Sequence, residues 1–442
     1  MLAPRVLVTS AIGVALVVSW AGTPRATFAQ RPDSVPSPMT LLRRSPSEPS
    51  WAATLRFRDA ESRYRTNAQW RSAYCQLRAQ SEVWLGDQAA ALREIGRCWG
   101  DWGVGPYTIP PGTCAADAVS LIASAADTAR IVMVNERHHV TSDRLLTLEL
   151  LPILWQKGYR YFAAEAFDSG DSSINTRPYA ASGVTGGYVD EPVFGEIVRE
   201  ARRLGYTLVA YEMERGQDAP ADGLNSQQLR DRAQARNLND RVFRADPAAK
   251  VLVHAGYAHI KEHADSTWSP MAAYLRELTG IDPVTVDQTM LGEMGDPAKE
   301  HPAYRAAQSA GLVGKSPVIL VDRGGRPISP TAFDTDLEVL TPRTTYVRGR
   351  PLWMALGTRR RAVAVSVPEC AARQCIIEAR LASDGEDAVP IDRTEARTSS
   401  VTLYLPPDQR VKIRVMSTTN EVLRDVDANL QRGQIRGSDP RL

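Results

Sequence analysis

The chain carries six histidines, and five of them fall in two short stretches, NERHH (135–139) and VHAGYAHIKEH (253–263). These are His138, His139, His254, His259 and His263; His301 stands apart. Imidazole ionises nearest neutrality of all side chains, so such a cluster suits proton transfer or metal ligation. Acids accompany it. Glu136, Glu165, Glu212 and Asp322 each follow a short apolar run. Charged groups are seldom buried without partners, so acids and imidazoles gathered at one edge should perturb one another's protonation, as catalytic groups do.

Taken singly, these residues have competing readings. Glu136 and His139 are three apart where the chain should turn into a helix, so both can face one cavity as a base or metal-ligand pair. The alternative is a Glu–His hydrogen bond capping that helix. His138 adjoins His139 and is expected to point elsewhere, in a structural or surface role. Arg144 lies one to two turns into the helix, where it would hold a carboxylate or an oxyanion, or simply meet solvent. Glu165, in AAEAF, sets one acid in an apolar strand; an ion pair with an arginine is its bland explanation. Glu212, in AYEME, is a weaker case of the same kind. In AGYAHI the glycine lets the chain turn sharply and bring His259 over the strand ends. His254 ends the strand itself and is expected beneath the site as support.

The elements that must position these groups are short apolar runs: 131–135, 160–164, 207–211, 250–254, 284–286 and 317–321. Amphipathic stretches such as DRLLTLELLPILWQK and EPVFGEIVREARRLG lie between them. This alternation predicts an α/β fold, a mainly parallel sheet with helices on both faces. Ligands bind beyond the carboxyl ends of such strands. A helical hairpin (51–110) precedes this α/β domain (111–345), and a small β-rich, sandwich-like domain (346–430) follows it. Residues 30–50, rich in Pro and Ser, read as a linker that cannot bury a core, and 431–442 as a loose tail.

The chain has 442 residues, enough for about two to three domains. Its 53 basic and 51 acidic residues leave a net charge of +2. That offers no basic excess for a nucleic-acid partner. Residues 1–29 combine one arginine, a dozen apolar residues and small residues before Ala21 and Ala29, the pattern of a cleaved signal peptide. The apolar run is too short for a stable membrane span, so the protein is expected to be exported, periplasmic or extracellular. There cysteines pair, and Cys75–Cys98 and Cys370–Cys375 are the expected bonds, with Cys114 left over. No G-x-S-x-G, P-loop, G-x-G-x-x-G after a strand, H-E-x-x-H or C-x-x-C occurs.

Four segments together, IVMVNERHH (131–139), YFAAEAF (161–167), RDRAQARNL (230–238) and VLVHAGYAH (251–259), resemble the erythromycin esterase-like group. That group belongs to a wider superfamily with Tiki-type metalloproteases and ChaN-type haem-uptake lipoproteins. The resemblance covers about residues 115–345. It implies a cleft lined by Glu136, His139, Glu165 and His259, in which a histidine activates water against an ester or lactone. The glycine usual before the first acid is Asn135 here. The expectation is therefore an exported hydrolase acting on an ester, lactone or amide of a small-molecule or peptide substrate. His139 would be the base, Glu136 or Glu165 would orient it, and His259 or Arg144 would hold the oxyanion. In a metal-dependent form Glu136, His139, Glu165 and His259 would hold a divalent ion. The resemblance also implies an alternative, a non-catalytic protein that binds haem or iron. The helical segment could dock a protein partner.

Overall fold

The computed structural model describes residues 35–45, 48–100, 102–217, 224–265, 268–431 and 434–437. The expected signal peptide lies outside the described residues.

Eight strands build the central sheet: β1 (Cys114–Asp117), β2 (Ile131–Glu136), β3 (Tyr161–Ala164), β4 (Thr207–Ala210), β5 (Val251–Gly256), β6 (Val284–Asp287), β7 (Val318–Val321) and β8 (Leu337–Leu340). They lie in the order β1-β7-β8-β6-β2-β5-β3-β4. From β8 to β4 every neighbour is parallel, whereas β7 runs antiparallel to both β1 and β8. The chain leaves β2, fills β3 and β4, and returns to place β5 between β2 and β3. It then crosses to β6 on the far side of β2. Such a reversal opens a crevice at the carboxyl ends of the strands. The reversed β7 corrects one expectation. Asp322 follows β7 at the opposite rim, where it accepts from Gly324 and Arg326 in its own turn.

Strand alternation divides the core in two. Val132, Val134, Phe162 and Leu252 face α5 (Ala118–Ala125), α6 (Arg144–Gln156) and α7 (Pro192–Leu204). Ile131, Met133, Ala163 and Val253 face α8 (Ser226–Leu238) and α9 (Met271–Thr279). Helix α10 (Pro302–Ser309) packs on β7 and β8.

The front segment forms α1 (Trp51–Asp59), α2 (Glu61–Tyr64), α3 (Arg71–Glu82) and α4 (Gln88–Gly96). A disulfide, Cys75–Cys98, ties α3 to the residues after α4, as expected. This layer rests on the rim of the sheet. Gln88 Nε2 donates to His139 O (3.0 Å), and Gln88 Oε1 accepts from Thr141 N (2.7 Å). Trp51, Trp84 and Leu85 pack on Ile376 and Met416 of the C-terminal region. The expected linker is corrected over its described part. Val35, Met39, Leu41 and Leu42 pack on the cluster of Phe57, Tyr64, Tyr74 and Leu77. Tyr64 and Trp70 donate to Pro36 O and Val35 O.

After the hairpin β9 (Tyr346–Val347) and β10 (Arg350–Pro351) come β11 (Arg361–Ser366), β12 (Cys375–Leu381), β13 (Asp392–Ala396), β14 (Ser400–Leu405), β15 (Arg410–Ser417), β16 (Val422–Gln431) and β17 (Gln434–Gly437). A β11-β14 pair and a β13-β12-β15-β16-β17 sheet, both antiparallel, close over one apolar core of Val363, Val365, Leu403, Ile377, Ile413 and Val415. The second expected disulfide, Cys370–Cys375, lies beside it, and Cys114 is free. The expected loose tail is corrected in part, since β17 pairs with β16. No helix among the described residues is long and apolar enough to cross a membrane.

Candidate functional site

The strand order sets the site. Glu136 ends β2 and stands level with Gly256 of β5, and Ala164 of β3 stands level with His254. The carboxyl ends of β2, β5, β3 and β4 are therefore neighbours and bring Glu136, His254, Glu165 and Glu212 to one rim.

Glu136 is a fully buried hub. Arg144, the first residue of α6, grips it with two bonds, Nε to Oε2 (2.7 Å) and Nη2 to Oε1 (3.0 Å). Its Nη1 reaches Glu191 (2.9 Å), whose carboxylate caps α7 through Val193 N and Phe194 N. His254 lies beneath, as expected, with Nε2 3.1 Å from Glu136 Oε2 and Nδ1 2.9 Å from Thr147 Oγ1. Above, His138 Nδ1 meets Glu136 Oε1 at 2.9 Å, and His138 Nε2 points toward Glu165 Oε1, 3.9 Å away. The imidazole stacks on Tyr188 at 4.2 Å.

His138, expected in a structural or surface role, thus occupies the centre of the site. A cavity of about 30 Å³ is lined by His138, His139, Glu165, Arg230, His259 and the two rings Tyr188 and Tyr257, and roofed by α3. At about 10–15 Å³ per water, it holds one or two waters. His139 lines it too, with Nδ1 3.2 Å from Tyr257 Oη and a buried Nε2 that has no partner among the described residues. Tyr257 adopts φ 45°, a rare conformation for a non-glycine residue. Asn135 Nδ2 steadies it with a bond to Tyr257 O (2.7 Å). Gly256 is needed because a Cβ there would lie 2.4 Å from the His138 ring.

Glu165 accepts from Gly256 N and from Arg230 Nη2 (2.6 Å). Arg230 also donates to Glu212 through Nε (2.8 Å) and to His259 Nε2 through Nη1 (2.6 Å). A guanidinium cannot accept, so His259 takes that bond on Nε2 and keeps its proton on Nδ1, which donates to Asp231. Across Glu165, Tyr188 and Arg230 opens a larger cavity of about 250 Å³, walled by Trp84, Phe167, Ala53 and Glu212.

No family model matches the chain. No curated protein matches it either. Among solved structures it is similar in part to a bacterial protein toxin, at 15% identity over 39% of this chain and 37% of that one, with a TM-score of 0.29. It is also similar to RRSP, a MARTX toxin effector domain from Vibrio vulnificus CMCP6 (13% identity, 53% of this chain, 51% of that one, TM-score 0.30). A third is the type III effector HopBA1 (13%, 44% and 96%, TM-score 0.27). The chain spans about a third to a half of the length of the two toxin structures.

Electrostatics divide the groups by role. Burial alone would raise the Glu136 carboxyl, but Arg144 and the hydrogen bonds from His138 and His254 outweigh it and hold it well below the usual carboxylate range. Burial likewise opposes ionisation of Glu165, and Arg230, His259 and His138 overcome it, so Glu165 too stays ionised. Burial, with Arg137 and His138 nearby, pushes His139 well down and keeps it neutral. For His259 burial works against a second proton, yet Asp231 and Glu165 turn the net direction upward. Burial raises the hydroxyls of Tyr188 and Tyr257, which therefore stay protonated donors.

The expected residues do gather, with changed roles. Glu136 and Arg144 are sealed beneath the cavity rather than facing it, so Arg144 cannot reach an oxyanion. Glu212 holds Arg230. Glu136 and Glu165 are each already bound by a guanidinium, and among the described residues no three His, Cys, Asp or Glu side chains converge as metal ligands. That donor set does not fit a divalent ion. Haem fits no better, because the larger cavity is lined by no histidine. Sequence reasoning gave no role to Arg230, Asp231, Tyr188 or Tyr257.

Proposed function

We propose that this protein is an exported hydrolase of the erythromycin esterase-like kind, in which a histidine held between two carboxylates activates water against an ester, lactone or amide. The observation that carries the reading is His138, 2.9 Å from Glu136 on one nitrogen and 3.9 Å from Glu165 on the other, at the wall of a water-sized cavity. Glu136 accepts a hydrogen bond from Nδ1–H and so fixes the tautomer, as the acid of a catalytic triad does. That leaves the Nε2 lone pair facing the cavity.

There Nε2 removes a proton from water while the oxygen bonds to the carbonyl carbon. Glu136 and Glu165 stabilise the imidazolium so formed. The carbonyl oxygen gains the electron pair and is met by Arg230, which lines both cavities. On collapse the bond to the leaving oxygen or nitrogen breaks, and the imidazolium returns its proton there. The neutral His139 and the Asp231–His259 pair shape the opposite wall. Export is supported by the N-terminal apolar pattern and by the two disulfides.

A panel of esters, lactones and amides, each assayed with and without chelator, tests this. The expected result is turnover that survives the chelator and falls by about 10²–10⁴-fold in Glu136→Gln. Turnover equal in wild type and Glu136→Gln would contradict it.

A further inference from the structure

The charged groups around the reaction chamber satisfy one another: Glu136 with Arg144, Glu165 and Glu212 with Arg230, Asp231 with His259. Apart from the oxyanion met by Arg230, a charged substrate group at this depth would have to displace one of these pairs. Two neutral side chains break the pattern. Gln76 and Gln80 stand one turn apart on α3, and both line the small cavity opposite His138 and His139. Gln80 also lines the larger cavity and so sits at the junction. Neither carboxamide has a hydrogen-bond partner among the described residues. By contrast, Gln88 and Gln288 are both fully engaged in structure. Both are half-buried and their amide atoms stay accessible from the cavity side, and each offers both an acceptor and two donors. Beyond them Trp84, Phe167 and Ala53 present an apolar wall.

We propose that Gln76 and Gln80 select the substrate: they receive an uncharged group bearing both a donor and an acceptor, such as a carboxamide, beside the scissile bond. The apolar part of the substrate then lies in the larger cavity. This rests on the hydrolase reading for the bond that breaks, but not for the binding itself. The front helical layer is accordingly a wall of the active site.

Three methyl esters of similar size form the test: N-acetylglycine methyl ester (neutral amide), methyl butyrate (apolar) and monomethyl succinate (anionic). Hydrolysis is measured for wild type and for Gln76→Met/Gln80→Met, whose side chains keep the shape and helix propensity of glutamine. Binding of the same three esters to His138→Ala protein, with and without the two Met substitutions, is followed by saturation-transfer NMR. The expected result is a preference for the amide ester of about tenfold over the other two, in turnover and in binding, that shrinks to about twofold in the Met variants. If turnover occurs and the order is the same in both proteins, the selector proposal falls and the hydrolase reading stands. If turnover is absent but the binding order is present and lost on substitution, the hydrolase reading falls and the selector stands. Equal binding of all three esters overturns the selector. The single variants carry the same test should the double variant not fold.

Discussion

Arg144 shows how one residue can decide whether this site exists. Its side chain is 1% exposed and is shared by two buried carboxylates, Glu136 and Glu191. Burying three charges costs several kcal/mol per ion, and the arrangement survives because each bond is close and nearly every partner is met. Arg144→Met would strand both acids. The expected outcome is a loss of about 3–5 kcal/mol in stability, read from the urea midpoint, with activity falling further than the remaining folded fraction explains. The same residue scale separates His138 from His139. Helical spacing pairs Glu136 with the residue three on, but the helical turns begin only at Thr141. Between them residues 137–140 form a turn, closed by Val140 N on Arg137 O (2.7 Å), which folds His138 back over the end of β2. Glu136 therefore meets His138, and His139 turns to Tyr257.

At the level of elements, the end of β5 is the tightest joint. Gly256 donates to Glu165 and lies against the His138 ring, so a methyl there has nowhere to go. Gly256→Ala should cost about 1–3 kcal/mol as an overpacking change and lower kcat by displacing His138; a melting curve and an esterase assay check the two effects separately. The sheet itself was legible. Six apolar runs gave six of its eight strands, because buried parallel strands are continuous β-branched segments. The two that escaped have no continuous β-branched or apolar run: CAAD is small residues ending in an acid, and LEVL is interrupted by Glu338. The direction of β7 was not legible, since a run of apolar residues has no polarity, and Asp322 was misplaced with it. Arg230 was invisible for another reason. It sits in a helix of ordinary composition, and its partners Glu165, Glu212 and His259 come from three other parts of the chain. The front helices read correctly as helices, but nothing in a 3.6-residue period says that one face roofs a cavity.

Across the whole molecule, buried titratable groups set the response to acid. His301 is pushed down to about 4 by burial and by Arg305, and His139 is also pushed down. Both bind fewer protons folded than unfolded, so the stability they lend is complete above about pH 6.5 and is lost as pH falls through the folded value. Glu136, Glu165 and Glu378, all lowered, extend the loss below about pH 4.5. Asp287, raised by burial to about 6, works the other way: its contribution is present at low pH and is lost as pH rises through 6. Calorimetry should show the melting temperature falling between pH 6.5 and 4. His301→Asn, which preserves a side-chain cap on α10, should flatten that slope.

The arrangement as a whole turns on which of two adjacent imidazoles takes the proton from water. Steady-state hydrolysis of one ester by His138→Ala and His139→Ala, side by side, answers it. The expected result is a fall in kcat of about 10²–10⁴-fold for His138→Ala and a much smaller one for His139→Ala. Full activity in His138→Ala, with the loss in His139→Ala instead, would contradict the account.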